Sequence, residues 1–212
     1  MGARLLSGSR SLGRCFLGKT RRVRTMNEIE RIEHNGHIIR IMPDDDPMNP
    51  REWDNLGTIL YSSSRYVLGD KEVSVDEIEE ITQRDDVIWL PVYAYIHSGV
   101  VLNTGGFSCP WDSGMSGIIY VEKKAAEAAW AGFEDDYSED RVRKVLQGEV
   151  ETFSQYVSGD IYGYVVETAT GEHVNSCWGF FGHEGVKEAI SDARGAADWE
   201  VTQAEQIANQ NG

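Results

Sequence analysis

The chain has 212 residues, with 20 Lys and Arg against 35 Asp and Glu and a formal net charge of −15. That length builds a core without disulfide or metal staples, and 41% hydrophobic with 10% aromatic residues excludes a wholly disordered chain. No apolar run approaches the roughly 18 residues of a membrane span, and the acidity disfavours nucleic acid as a partner, because phosphates are met by Lys and Arg.

Charge is split along the chain. Residues 1–25 carry seven bases (Arg4, Arg10, Arg14, Lys19, Arg21, Arg22 and Arg24) and no acid. From Met26 onward 13 bases face 35 acids, a net of −22. An Arg- and Ser-rich, acid-free start has the composition of an organellar transit peptide. A start codon placed too early, with Met26 as the true first residue, is the simpler reading and is preferred. Residues 1–25 are therefore set aside as a basic leader, expected to be disordered or mis-started. A single domain is expected over 26–200, and a frayed tail over 201–212.

His37 to Met42 (HIIRIM) predicts a short strand, stopped by Pro43 and the acidic turn that follows. Thr58 to Tyr61 predicts a second. Ser74, with Glu77 three residues on, has the spacing of a capping box and starts a helix that runs to Arg84. Val87 to His97 alternates with period two and is the clearest strand; Pro91 within it calls for an edge position or a bulge. Val100 to Asn103 extends that run. A Gly-rich loop over 104–114 leads to a strand over Gly117 to Glu122 and a short Ala-rich helix over Lys123 to Ala131.

The longest helix starts near Ser138. Its apolar residues Val142, Val145, Leu146, Val150, Phe153, Tyr156 and Val157 recur at three- and four-residue spacing, and Gly159 ends it. Asp160 to Thr168 and His173 to Phe181 form two strands around a hairpin turn at 169–171. Val186 to Trp199 is a helical tail. Strands outnumber helices without regular βαβ alternation, so the fold class is α+β, a mostly antiparallel or mixed sheet with helices on one face.

Three places carry candidate chemistry. The loop word Phe107 to Gly114 packs Cys109, Trp111, Asp112 and Ser113 together. Cys109 becomes a nucleophile if a base lowers its effective pKa, and His97 ends the preceding strand. The alternative is a tight structural or partner-binding loop, and this is preferred. The second place is Glu149, which lies near the apolar stripe of its helix. Burial there raises a carboxyl pKa and suits acid or base work, with Asp160 as a possible pair. The alternative is a boundary carboxylate paired with Arg141, Arg143 or Lys144, and this again is preferred. The third is Ser176 to His183, where Trp178 is either part of an aromatic binding patch or, as preferred, inside the core beside Phe180. Cys109, Cys177, His97 and His183 contain no close ligand pair, so no metal is expected, and no cofactor either. Two cysteines beyond the leader make no secreted disulfide framework, so a reducing cytoplasm is the expected location.

Seven words carry a resemblance: PREWDNLGT (50–58), RYVLGD (65–70), WLPVYAYIHSG (89–99), GFSCPWDSG (106–114), GEVETF (148–153), SGDIYGYVVE (158–167) and SCWGFFG (176–182). Through them the chain resembles a family of unassigned function encoded by bacteriophages, mobile elements and haloarchaea. It departs at Ile59 to Ser64, where relatives often carry Cys and His, which argues against a Cys/His site there. The resemblance implies a viral or mobile-element origin and no particular reaction. It also suits a salt-adapted acidic surface, the other reading of the acids being imitation of DNA charge. Salt near 1 M shortens the Debye length to about 3 Å and weakens such mimicry.

Two functions follow as expectations. The first is a non-enzymatic accessory protein that binds a host protein, with Trp111, Ser113, Asp160 and Trp178 as candidate binding residues. The second is a small hydrolase or transferase that uses Cys109 with Asp112, His97 or Glu149.

Overall fold

In the computed structural model, residues 14–15, 28–108, 111, 113–131 and 137–210 are described. The strands are β1 (Arg14–Cys15), β2 (Glu30–His34), β3 (His37–Pro43), β4 (Thr58–Tyr61), β5 (Lys71–Glu72), β6 (Val87–Ile96), β7 (Val100–Asn103), β8 (Ser113–Glu122), β9 (Ile161–Thr168) and β10 (His173–Phe181). The helices are α1 (Val75–Thr82), α2 (Lys123–Trp130), α3 (Glu139–Ser158) and α4 (Gly182–Gln210). The fold is α+β, with two five-stranded sheets. Where one domain was expected over 26–200, the chain forms two compact units, one of them Asn49–Ser158 and the other built from the segments on either side of it. Each has its own apolar core.

The Asn49–Ser158 unit holds a sheet of order β5-β4-β8-β6-β7. Alternation along the strands divides its side chains between two faces. Ile59, Ile88, Val92, Ile119 and Val121 pack with Val142, Leu146, Val150 and Phe153 of α3. Leu60 and Ile118, each one residue out of step, pack with Ile78 of α1. This sheet therefore carries α3 on one face and α1 on the other. The Ser74 capping box forms as the spacing predicts, with Ser74 Oγ accepting from the Glu77 amide at 3.2 Å and the Glu77 carboxylate accepting from the Ser74 amide.

Pro91 sits opposite Ile118 of β8, next to a bulge between Val92 and Tyr93. On its other flank β7 pairs only with Tyr93–Ile96, so the donor that proline lacks is not required there. β8 begins four residues earlier than predicted, at Ser113, because Ser113–Met115 pair with Tyr93–Tyr95 of β6.

The second unit holds the order β1-β10-β9-β3-β2. Ile39, Ile41, Tyr164, Val166, Cys177 and Phe180 face α4 through Ala189, Ala193 and Ala197. Those alanines recur every four residues and let the helix lie close on the sheet. α4 is longer than the tail the sequence predicts, running from Gly182 to Gln210, so the frayed 201–212 segment is helical as far as Gln210. β2 was not predicted. It forms a hairpin with β3 through Asn35 and Gly36, whose φ values are 47° and 76°. Of the leader, Arg14 and Cys15 pair along β10 opposite Trp178 and Cys177. Among the described residues, no helix is long and apolar enough to cross a membrane.

Candidate functional site

The most elaborate polar arrangement of the Asn49–Ser158 unit joins three of the sequence words. Arg51 stands in a single 3-10 turn, Pro50–Glu52, whose Asn49 side chain accepts from the Arg51 amide at 3.0 Å. The guanidinium then reaches four oxygens. Nε donates to Asp70 Oδ1 at 2.9 Å, and Nη2 to Asp70 Oδ2 at 2.8 Å and to the Gly57 carbonyl at 2.6 Å. Nη1 donates to Glu149 Oε2 at 3.1 Å. A planar fork satisfies two carboxylates in this way where an ammonium would not.

Each carboxylate is also tied to backbone. Glu149 Oε1 accepts from the Leu56 amide at 2.7 Å, and the Gly57 amide lies 3.2 and 3.3 Å from the two oxygens. Asp70 Oδ2 accepts from the Ile59 amide at 2.7 Å. Gly57 permits the approach, because a Cβ there would stand 2.4 Å from Leu146 Cδ2 and 2.7 Å from Ile119 Cγ1. The side chains of Arg51 and Glu149 are 6% and 11% exposed, and that of Asp70 is 25% exposed.

Burial raises the Glu149 pKa above the ordinary carboxylate range, partly opposed by the Leu56 amide, Arg51 and the Gly57 amide. For Arg51, burial pulls the pKa down, but the bonds and charges of Asp70 and Glu149 outweigh it, so it lies above its ordinary value. The cation that holds Glu149 is therefore Arg51, 98 residues away, and not Arg141, Arg143 or Lys144 of its own helix surface. Arg143 instead donates to the Trp89 carbonyl at 3.0 Å. Chemically, Glu149 is committed to three donor groups and largely withdrawn from water. The arrangement clamps the 50–58 loop, the start of β4 and the middle of α3 to one another.

A different surface is open. Among the described residues, an open hollow of about 410 Å³ lies where β4 stops and β8 continues, with Ser62, Ser63, Ala94, Ile96, Trp111 and Met115 among its lining residues. Trp111 is 92% exposed on its rim and Met115 is 50% exposed. Ser113 and Gly114 also line it. Two of the sequence candidates, Trp111 and Ser113, are thus brought together.

The remaining candidates are placed as follows. Cys109 and Asp112 lie outside the described residues. His97 is exposed just beyond β6, its amide donating to the Gly99 carbonyl at 3.2 Å and its ring 6.4 Å from that of Tyr95. The Gly-rich loop is closed by Asn103, whose side chain bonds both the amide and the carbonyl of Gly106 at 2.7 and 3.0 Å.

Asp160 belongs to the second unit. Its carbonyl accepts from the Gly182 amide at 2.8 Å, and its carboxylate accepts from the Tyr162 hydroxyl, which raises the Tyr162 pKa. Trp178 does not share the core with Phe180, because a bulge at Gly179 (φ 91°) breaks the alternation between them. Phe180 is buried among the α4-facing residues, whereas Trp178 is half-buried with its ring against Gly163, where an added Cβ would lie 2.3 Å from Trp178 Cε3. Cys177 is buried in the same core as Phe180. Among the described residues, no three His, Cys, Asp or Glu side chains gather in a way that could hold a metal.

Sequence reasoning missed Arg51 and Asp70 as the partners of Glu149, and Met115, Ser62 and Ser63 as neighbours of Trp111. No protein-family model, curated protein or solved structure matches the chain.

Proposed function

We propose that this protein is a non-enzymatic accessory factor of a virus or mobile element that acts by binding a host protein through the surface around Trp111. The observation that carries the reading is the indole itself, 92% exposed beside an open hollow. An indole left in water forgoes the burial free energy that makes Trp valuable in a core, and such residues are enriched at the centre of protein interfaces. Half-exposed Met115 adds an adaptable apolar neighbour.

The state of Glu149 supports the same side of the choice. A carboxylate bonded by a guanidinium and two backbone amides has few lone pairs left with which to take a substrate proton. The resemblance carried by the seven sequence words supplies the viral or mobile-element context.

The test is affinity capture from the lysate of the host, at its working salt, with immobilised wild type and Trp111→Ala. The reading expects a stoichiometric protein retained by the wild type and lost by the variant at unchanged thermal stability. Equal retention by both proteins, or no stoichiometric partner, refutes it.

A further inference from the structure

The chain has three cysteines, and the sheet of the second unit sets two of them opposite each other. β1 pairs antiparallel with β10, and its register couples Arg14 with Trp178 and Cys15 with Cys177. Residues directly opposite in an antiparallel ladder share a face of the sheet. Their Cα atoms stand about 4.5 Å apart in a non-hydrogen-bonded pair and about 5.5 Å apart in a hydrogen-bonded one. A disulfide spans Cα separations of about 4.4–6.8 Å, so either kind of pair fits. Opposite Cβ atoms lie about 4.5–5.5 Å apart in general, against about 3.5–4.5 Å in a disulfide. Closing that difference asks for a small shift, and β1, a two-residue strand at the end of the sheet, is the element best placed to supply it.

The two positions differ in access. Cys177 is 3% exposed, in the core that faces α4, so a dissolved oxidant or external thiol reaches it poorly. β1 is joined to β10 through two register pairs, whereas β9 and β10 share seven, and short end strands open locally more often than the strands inside a sheet. Local opening therefore brings Cys15 to solvent, and re-pairing returns it to the position opposite Cys177.

We infer that Cys15 and Cys177 are a redox-controlled pair, which a peroxide oxidises to a cross-strand disulfide that fixes β1 to β10 and a dithiol reductant releases. The Cys15 thiolate attacks one peroxide oxygen, the O–O bond breaks, and the departing hydroxide takes up a proton as water, leaving a sulfenic acid. The Cys177 sulfur, giving up its proton, then attacks the sulfenic sulfur; the S–O bond breaks, the S–S bond forms and a second water leaves. The two sulfurs lose two electrons and two protons in all, and the peroxide gains them. In a reducing compartment the dithiol form prevails, so the link responds to oxidising conditions. It governs whether the basic leader stays attached at the β10 end of the sheet.

The test treats the full chain with a small excess of hydrogen peroxide, alkylates it, digests it and maps the linked peptides by mass spectrometry. Three pairings are possible among Cys15, Cys109 and Cys177. The inference expects an intramolecular Cys15–Cys177 link at least about tenfold in excess of both others, because cysteines outside the Cα window cannot be bridged without backbone movement. In concentrated urea that preference should vanish, and Cys109→Ser should leave the native link intact. Amide exchange over β1 should slow at least about tenfold in the oxidised chain and recover with dithiothreitol. A dominant link through Cys109, a link between two chains, sulfinic acid at Cys15 without a link, or unreacted thiols overturns the inference. So does a native preference no greater than that in urea. A Cys15–Cys177 link with unchanged exchange over β1 refutes its control of leader attachment.

Discussion

Arg51→Met is the most informative perturbation of the Asn49–Ser158 unit. The substitution keeps an apolar stem and removes four hydrogen bonds, two to Asp70, one to Glu149 and one to the Gly57 carbonyl. Removing one partner of a buried ion pair typically costs about 3–5 kcal/mol, because the other charge stays behind. Asp70 is a quarter exposed and recovers water, whereas Glu149 is nearly enclosed and the Gly57 carbonyl loses a 2.6 Å bond. That places the expected loss near the lower end, about 3 kcal/mol.

With a urea slope of about 2 kcal/mol/M, the midpoint should fall by roughly 1.5 M at constant slope. Four of the six tryptophans, Trp53, Trp89, Trp111 and Trp130, lie in this unit, so fluorescence follows its unfolding. Adding Glu149→Gln should restore more than about 1 kcal/mol, since a neutral amide still accepts from the Leu56 amide without burying a charge. Acidification should act in the same direction. The folded pKa of Glu149 already exceeds its ordinary value through burial, and loss of Arg51 raises it further. The folded variant therefore gains protons before its unfolded chain does, and its deficit closes as pH falls through the raised pKa. A midpoint drop under about 0.3 M, or a deficit that widens on acidification, refutes this account of the clamp.

Gly57→Ala should cost about 1–3 kcal/mol, because its Cβ meets Leu146 Cδ2 at 2.4 Å and Ile119 Cγ1 at 2.7 Å; a neutral result by chemical denaturation contradicts the close approach. Gly36→Ala should cost about 1 kcal/mol through its φ of 76°, read as loss of amide protection along β2 and β3. In the wild type, Asp86, Glu139, Glu184 and Asp198 have pKa values held below the ordinary range by bonds to Arg84, Lys123, Lys187 and Asn35. Their stabilisation is complete above the unfolded value, about 4, and is lost as pH falls through the folded value. Carboxyl NMR should find Glu149 titrating above all four, and the reverse order refutes the assignment.

Local signals in the sequence located most elements because local chemistry decides them. Ser74 and Glu77 cap α1, the 142–157 stripe buries one side of α3, and period-two alternation marks β6. Asn35-Gly36 was equally available, a two-residue turn signal between His34 and His37, and reading it would have supplied β2. Long-range arrangements were less legible. The words PREWDNLGT, RYVLGD and GEVETF each contribute one member to the Arg51–Asp70–Glu149 clamp, yet nothing in their spacing brings them together. Trp178 shows a further limit, since one extra residue at Gly179 moves it off the face occupied by Phe180, and a bulge leaves no periodic trace. Trp111 was legible as a candidate, but nothing local in its sequence word says whether the indole is buried or, as found, 92% exposed.

The surface around Trp111 is tested most directly by placing the photo-reactive residue benzoylphenylalanine at position 111, with exposed position 199 of the second unit as a control, and irradiating in host lysate at working salt. Trp199 is itself 62% exposed, so a probe at position 199 also meets solvent and can report adventitious capture. The account predicts one discrete covalent adduct with a host protein from position 111 and none from position 199. No adduct from position 111, or the same adducts from both, contradicts it.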